Sequence, residues 1–386
     1  MKLIDLIIDQ YERSTKWNNV TTGNSSFRVE EKHYRQIGKE ALIQQAKELE
    51  AEHLLKIVWI RGYYNVDIEK VVYPLIHMDR FYQLVNRKPK YKIVEEQRKM
   101  ALKSLASIKS AWIKNYIESE ILNALEKGRY ESNEDKIGLL YNCLVGLDQL
   151  DAPVYKRAFS KRFLKNSKIF EEKLQEKVIR IARVYNDVVE ETMEDTDVLS
   201  QLNIEEYSQE LYIKGSLKLE VEGNFIDTGC FPYGTILNTQ TLKKAHILDN
   251  PLIKKILTIE NKANFMAEPY ENGTLIIFSH GYFSPVEREF LIQLRDKLEG
   301  QQVTYLHSGD MDYGGVCIFR YIRNRIFPEL KPYRMDIQTF DKYIGFGEPI
   351  KKSTLEKIKE VKEPLLQELI DRIVETELVI EQEAYL

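Results

Sequence analysis

Cysteine and clustered histidine are what this sequence most clearly lacks. Its 386 residues include 3 cysteines, Cys143, Cys230 and Cys317, which lie far apart and form no C-x-x-C pair. The 6 histidines likewise form no H-x-x-x-H or H-E-x-x-H pattern. Both a disulfide framework and a structural zinc site are therefore disfavoured as the basis of the fold.

Long apolar runs are absent as well. No segment approaches the roughly 18 consecutive apolar residues that a membrane-spanning helix needs. The N-terminal segment MKLIDLIIDQYERS carries Asp5 and Asp9 within its apolar part, so it predicts an amphipathic helix rather than a secretory signal. We expect a cytoplasmic protein with no membrane partner.

The overall composition is that of a globular protein with about two or three domains. Hydrophobic residues make up 43% of the chain and charged residues 30%, and the formal net charge is -4. This small net charge neither predicts nor excludes binding to nucleic acid, because the distribution of the charges decides it.

The first half of the chain, to about residue 200, predicts a mainly helical region. Leu42, Ala46, Leu49 and His53 are spaced three and four apart, which indicates one buried stripe on a helix. Residues 98–128 repeat this pattern and end on a glycine. The NRKPKYK segment around Pro89 predicts a break and a domain edge.

The period of the pattern changes after about residue 210. Apolar and polar residues alternate on either side of Gly223-Asn224, which predicts a hairpin. Short strands then alternate with helices, and this alternation predicts a parallel α/β sheet. The predicted strands are 256–260, 274–279, 303–310 and 333–337.

Two helices of this second half carry start signals. Ser284 and Glu287 predict a capping box at the first of them. Ser353 and Glu356 predict a second capping box, and Pro364 predicts a break in the C-terminal helical segment.

Residues 153–183 form a basic segment in an otherwise acidic chain. Ten basic residues stand against three acidic ones there, with phenylalanines between them. The segment is either a solvated helix face, as most such runs are, or a surface that contacts the DNA phosphate backbone without reading bases. The candidate DNA-contacting residues are Lys156, Arg157, Lys161, Arg162, Lys165 and Lys168.

Carboxylates follow two predicted strands, at the end where open parallel sheets bind ligands. Glu260 ends one strand, and Asp310 and Asp312 end another. If these strands are neighbours, the carboxylates share one crevice, and oxygen ligands without His or Cys suit Mg²⁺ or Mn²⁺. Such ions bind phosphate oxygens, which indicates chemistry on a phosphodiester or phosphoryl group. The alternative is that Asp310 and Asp312 only cap the turn before Gly314-Gly315.

Other polar side chains give weaker signals. His280 follows a third predicted strand and is a candidate contact to a phosphate group, with a loop residue of no chemical role as the alternative. His307 lies inside a strand and is expected at the core or an edge. Tyr63 and Tyr64 are candidates for a nucleophilic tyrosine, with packing as the more ordinary role among 23 tyrosines.

The segments TIENKANF, HGYFSP and SGDMDYGG, in that order along the chain, resemble the Toprim domain. GSLKLEVEGNFID precedes them, and LIHMDRFYQLVNRKPKY and KRAFSKRFLKNSKIFEEKL lie in the first half. With these segments, most of the chain resembles the JetD subunits of Wadjet plasmid-defence systems, which are distant relatives of the topoisomerase VI A subunit. The resemblance is best over residues 205–386.

This resemblance implies a fold that is α/β plus mainly α, with a helical and winged-helix N-terminal half before a Toprim domain built on a Rossmann-like parallel sheet. It implies a helical arm at 1–92, a winged-helix DNA-binding domain at 93–200 and the Toprim domain with C-terminal helices at 201–386. By family, Glu260, Asp310 and Asp312 are the catalytic residues and hold Mg²⁺ or Mn²⁺.

The activity that the resemblance implies is that of a homodimeric, metal-dependent endonuclease acting on double-stranded DNA. Such a subunit cuts circular DNA delivered by a loop-extruding, SMC-like complex of three other subunits, without a nucleophilic tyrosine. One alternative is a DNA cleaving and rejoining protein like the topoisomerase VI A subunit, which uses a tyrosine. Others are a phosphotransferase of another acidic α/β fold and a module without enzymatic activity.

Overall fold

In the computed structural model, which describes residues 2–18 and 22–386, the chain divides into two units, residues 1–141 and 142–386. The division lies inside the segment 93–200, and the domain boundaries implied by the resemblance stay predictions. Within the described ranges, no helix has the length and apolar character needed to cross a membrane.

The first unit contains an antiparallel sheet of order β1-β3-β2, where the sequence predicts mainly helix. In the longest of these strands, Val71 and Tyr73 are buried on either side of the less buried Val72, which follows the alternation of a strand. Ile68 is buried outside this alternation, beyond an irregularity in the pairing with β2. The elements of the unit are α1 (Leu3–Arg13), β1 (Asn24–Arg28), α2 (Glu31–Ile37), α3 (Lys39–Ala51), β2 (Lys56–Trp59), β3 (Ile68–Pro74), α4 (Met78–Leu84), α5 (Lys90–Ser107), α6 (Ala111–Tyr116), α7 (Asn123–Glu126) and α8 (Glu134–Asp148), whose C-terminal end enters the second unit.

Two helical predictions for this unit have different outcomes. The stripe is confirmed for Leu42, Ala46 and Leu49, which are buried on α3, and wrong for His53, which is exposed beyond the end of that helix. The single helix predicted over 98–128 is wrong. The chain breaks there between α5 and α6, and a π-helical stretch, Ile117–Leu122, connects α6 to α7.

The second unit is built around a sheet of order β14-β13-β11-β12-β6-β9, in which β14, β13, β11 and β12 are parallel. Its elements are β4 (Val154–Tyr155), α9 (Lys156–Leu164), α10 (Gln175–Tyr185), α11 (Asp195–Gln201), β5 (Ile204–Glu205), β6 (Glu210–Lys214), β7 (Lys218–Val221), β8 (Asn224–Asp227), β9 (Thr235–Asn238), α12 (Thr239–Lys244), β10 (Ala245–Ile247), β11 (Lys255–Ile259), α13 (Lys262–Ala267), β12 (Thr274–Phe278), α14 (Pro285–Lys297), β13 (Thr304–Ser308), α15 (Tyr313–Arg325), β14 (Lys331–Pro332), α16 (Ile337–Tyr343), β15 (Glu348–Pro349), α17 (Lys352–Lys359), α18 (Gln367–Thr376) and β16 (Leu378–Val379).

The predicted parallel α/β sheet is therefore confirmed, with one strand misplaced. The fourth parallel strand is β14, and the strand predicted over 333–337 is wrong. The side chain of Asp336 accepts a hydrogen bond from the Thr339 N–H at 2.8 Å, so the chain turns there into α16 instead of extending the sheet.

The turn signals of the second unit are confirmed with one exception. β7 and β8 form the predicted hairpin, and its turn is Glu222-Gly223, both with positive φ. Ser284 and Glu287 form the predicted capping box of α14. The box predicted at Ser353 and Glu356 is wrong, because α17 begins at Lys352, so that Ser353 lies inside the helix, and its N-cap has no side-chain hydrogen bond.

The winged-helix arrangement is not confirmed. Among the described residues between 93 and 200, the extended segment is β4, and its partner is the parallel β5. The antiparallel hairpin that forms a wing is not found in that range.

Candidate acidic site

The acidic site is positioned by three neighbouring parallel strands. β11 lies between β12 and β13, with Ile259 level with Phe278 on one side and Ser308 on the other. Their carboxyl ends therefore meet at one edge, where parallel sheets bind ligands. Glu260 follows β11 directly, and its main-chain N–H donates to the Ser308 carbonyl at 2.9 Å.

The structure brings Glu260 and Asp310 into contact at this edge. The main-chain N–H of Asp310 donates to Oε2 of Glu260 at 3.2 Å. Gly309 makes this approach feasible, since a Cβ there would lie 2.4 Å from the same Oε2 atom. The strand-end convergence predicted from the sequence is thus present.

Asp312 begins α15 and caps it. Its Oδ1 atom accepts a hydrogen bond from the Gly315 N–H at 2.7 Å. Gly315 is needed because a Cβ at that position would lie 2.0 Å from the Asp310 carbonyl oxygen. The capping role that the sequence offered as an alternative is therefore correct for Asp312, whereas Asp310 does not cap this helix.

The carboxylates lie close together without a basic partner. Burial, and next the Asp310 carboxylate, raises the pKa of Glu260 to about 8. Burial also raises the pKa of Asp310 to about 6, helped by the charge of Asp312, and it raises the pKa of Asp312. Among the described residues, none of the three forms an ion pair with a Lys or Arg side chain. Among the described residues, main-chain N–H groups partly offset their mutual repulsion, and no Lys or Arg side chain pairs with them.

The donor set fits a hard divalent cation, although it is not a ready-made coordination site. Oxygen-only donors with unbalanced negative charge are what Mg²⁺ and Mn²⁺ prefer. In the described ranges, however, no three His, Cys, Asp or Glu side chains are grouped so that they hold a metal ion as they stand. One oxygen each of Asp310 and Asp312 is occupied by a main-chain N–H.

The C-terminal segment also lines the site, although no sequence pattern predicts it. Gln382 opens a short 3₁₀ turn, Gln382–Tyr385, and donates its main-chain N–H to Oδ1 of Asp310 at 2.7 Å. The Tyr385 hydroxyl donates to the Gly309 carbonyl at 3.2 Å. A pocket of about 260 Å³ lies beside these residues and is lined partly by Ser308 and Arg334.

His280 lies in the loop after β12 and is paired with a buried carboxylate. Its Nε2 atom is 3.2 Å from both carboxylate oxygens of Glu287, a fully buried side chain on α14. Burial alone would lower the pKa of His280, but the Glu287 carboxylate outweighs it and raises that pKa. The same pairing outweighs burial at Glu287 and lowers its pKa. Contact of His280 with a phosphate stays a prediction.

His307 is a core residue, which is one of the two positions that the sequence predicts for it. It is fully buried, and its Nδ1 atom is 2.9 Å from the Thr258 hydroxyl. Burial lowers the pKa of His307 to about 3, so the ring is neutral at physiological pH.

The basic segment contains one residue that is not available to DNA. Lys156 is buried, and its Nζ atom lies 3.4 Å from Glu171 and 3.6 Å from Glu206. Its inclusion among the candidate DNA contacts is therefore corrected: it serves an ion pair inside the second unit. The other candidates are exposed, namely Arg157, Lys161, Arg162, Lys165 and Lys168.

Tyr282, Tyr313 and Tyr385 lie around the acidic site, and the pKa of each hydroxyl is raised. Burial raises the pKa of Tyr282 and of Tyr385, and the charge of Glu260 raises both further. Tyr63 and Tyr64 lie in the first unit, exposed in the turn between β2 and β3.

The fold and the site together define a class: an α/β protein with paired carboxylates where the central parallel strands end. Within this class, residues 218–385 match the family model described as Wadjet protein JetD, C-terminal. The chain is also 28% identical over 346 residues to the Wadjet protein JetD of Bacillus cereus (strain Q1), and the match covers 87% of this chain and 83% of that protein. The resemblance to JetD is thereby confirmed.

Proposed function

We propose that this chain is the DNA-cutting subunit of a Wadjet-type anti-plasmid system. Its relation to JetD along most of its length supports membership of such a system. The observation that supports cutting is the contact between Glu260 and Asp310 at the strand ends, in a group of carboxylates without a basic partner. In this proposal the subunit is a Toprim-type endonuclease that cleaves circular double-stranded DNA delivered by an SMC-like complex.

Glu260, Asp310 and Asp312 would hold Mg²⁺ or Mn²⁺ in this proposal. Such an ion, when bound, neutralises charge on the scissile phosphate and stabilises the leaving oxygen. Glu260 has an oxygen, Oε1, that is not used by the Asp310 N–H. Glu260 is the candidate to accept a proton from an attacking water.

The surrounding residues take supporting roles. His280, held by Glu287, would present the remaining edge of its ring to a DNA phosphate. The exposed Arg157, Lys161 and Arg162 would contact the phosphate backbone outside the acidic site. The subunit would act as a homodimer, so that one protomer cuts each strand.

Reconstitution with the partner complex tests this function. Linearisation of a supercoiled plasmid is expected with Mg²⁺ or Mn²⁺, and no linearisation is expected with Asp310→Asn or Asp312→Asn. Asp249→Asn is the matched control, since this exposed aspartate pairs only with Lys297 outside the site. Full cleavage by both site variants would overturn the proposal. A covalent adduct between protein and DNA would instead favour the tyrosine-based alternative.

A further inference from the structure

The segment that follows β16 is joined directly to the two aspartates. Ile380 and Met311 exchange main-chain hydrogen bonds, with N–O distances of 2.9 and 3.2 Å. Met311 is the residue between Asp310 and Asp312, and both Met311 and Ile380 are fully buried. The C-terminal segment is therefore an integral part of the acidic loop rather than a loosely attached tail.

Gln382 connects the ends of two strands at this place. Its Nε2 atom donates to the Ser308 hydroxyl at 2.7 Å, at the end of β13. Its Oε1 atom accepts from the Asn261 N–H at 2.9 Å, one residue after Glu260. Together with the main-chain bond to Asp310, these contacts leave Gln382 1% exposed.

We infer that Gln382 is a positioning residue, which fixes the Asp310 carboxylate and the distance between the two strand ends so that a divalent cation can be held. This inference rests on the proposed function. Hydrogen bonds to ligating carboxylates commonly orient them and tune metal affinity. Gln382 reaches the site through the fold, because it is 72 residues away from Asp310 in the chain.

The chemical type of the contact favours this role. A Lys or Arg partner would orient Asp310 too, but its charge would offset the carboxylates and compete with a bound cation. The Gln382 N–H is neutral. It binds Oδ1 of Asp310 and does not bind the other carboxylate oxygen, Oδ2. The carboxylate is thereby held without losing its affinity for a cation.

Two substitutions separate the main-chain bond from the side-chain bonds. Gln382→Ala removes the links to Ser308 and Asn261 and keeps the N–H. Gln382→Pro also removes the N–H, and the backbone tolerates it, since proline suits the first position of a helical turn and Glu381 before it is extended, with φ -73° and ψ 146°. Gln293→Ala is the control, because that exposed glutamine bonds only Glu289 on its own helix.

Calorimetric titration with Mn²⁺, with thermal unfolding of the metal-free protein measured alongside, is the test. Gln382→Pro is expected to weaken Mn²⁺ binding about tenfold or more, Gln382→Ala about threefold, and Gln293→Ala not at all. A purely structural role would lower the unfolding temperature of both Gln382 variants and leave Mn²⁺ affinity unchanged.

The outcomes distinguish this inference from the proposed function. Wild-type affinity in Gln382→Pro would overturn the positioning role alone, and if that variant does not fold, wild-type affinity in Gln382→Ala would overturn it. No Mn²⁺ binding by the wild-type protein would overturn the metal-dependent function and this inference with it.

Discussion

The main-chain N–H of Asp310 lies 3.2 Å from Oε2 of Glu260 and donates a hydrogen bond to it across the ends of β13 and β11. This contact links two residues that are 50 positions apart in the chain. It places one carboxylate against the segment that carries the other two, in surroundings that raise the pKa of all three. Burial and the neighbouring carboxylates therefore disfavour the charged forms of these groups. Substitutions that remove one of the charges should change the stability of the metal-free protein.

Neutralising Glu260 should stabilise the metal-free protein while it abolishes cleavage. At pH 9, above the pKa of about 8 of Glu260, Glu260→Gln removes one of three mutually repelling charges and keeps an oxygen that can accept the Asp310 N–H. We expect a gain of about 1 kcal/mol, or roughly 2–4 °C in thermal unfolding with chelator present. Asp249→Asn is the control. A fall in unfolding temperature would indicate that Glu260 is a structural acceptor and not a functional carboxylate.

Gly315 should be intolerant of a side chain. The Cβ of Gly315→Ala would lie 2.0 Å from the Asp310 carbonyl oxygen, so the loop bearing both aspartates must move. We expect a loss of about 1–3 kcal/mol in urea unfolding and loss of plasmid cleavage. In Gly314→Ala, the new Cβ meets Asp312 Oδ1 at 3.3 Å, and a smaller effect is expected. Equal stability and activity of the two variants would contradict this reading of the loop.

The pairing of His280 with Glu287 should make stability depend on pH. The pKa of His280 is raised in the folded protein, so its contribution is fully present below the unfolded value of 6.5 and is lost as pH rises through the folded pKa. Glu287→Gln, which keeps the capping geometry, should therefore cost more at pH 6 than at pH 9. We expect a loss on the order of 3 kcal/mol at pH 6, measured by urea unfolding. The same cost at both pH values would show that the charge of His280 does not change between them and would contradict this prediction.

The basic segment should separate into a structural lysine and a DNA-contacting group. Lys156→Ala should lower the unfolding temperature and leave DNA affinity nearly unchanged, because Lys156 is only 11% exposed and pairs with Glu171 and Glu206. Combined reversal of Arg157, Lys161 and Arg162 to Glu should weaken binding to a linear duplex and reduce its dependence on salt. Fluorescence anisotropy at several salt concentrations measures both. Unchanged binding by the triple variant would show that this segment is a solvated helix face and does not contact DNA.

The sequence predicts that Glu260 and Asp310 lie close together, because the parallel arrangement of the strands determines where both residues lie. Once short apolar strands alternate with helices, their carboxyl ends must share an edge, so Glu260 and Asp310 meet. Gln382 could not be found this way, since its role depends on where the chain returns after α18. Lys156 was misjudged for a similar reason: a run of basic residues does not show that the first of them faces Glu206.

The antiparallel sheet of the first unit shows another limit of the sequence. The strands β1 and β2 are short and have α2 and α3 between them, so the helical period of α3 dominates the pattern. In the segment 333–337, apolar residues suggest a strand, but the Asp336 cap directs the chain into α16. In both places a tertiary or capping interaction overrides the local propensity.

Titration of Mn²⁺ into the wild-type protein and into Asp310→Ala by calorimetry tests the central claim most directly. The account predicts binding by the wild-type protein that is lost in Asp310→Ala, with Asp249→Ala binding as the wild type does. Absence of binding to the wild-type protein, both alone and with duplex DNA present, would contradict a metal-dependent site at these carboxylates.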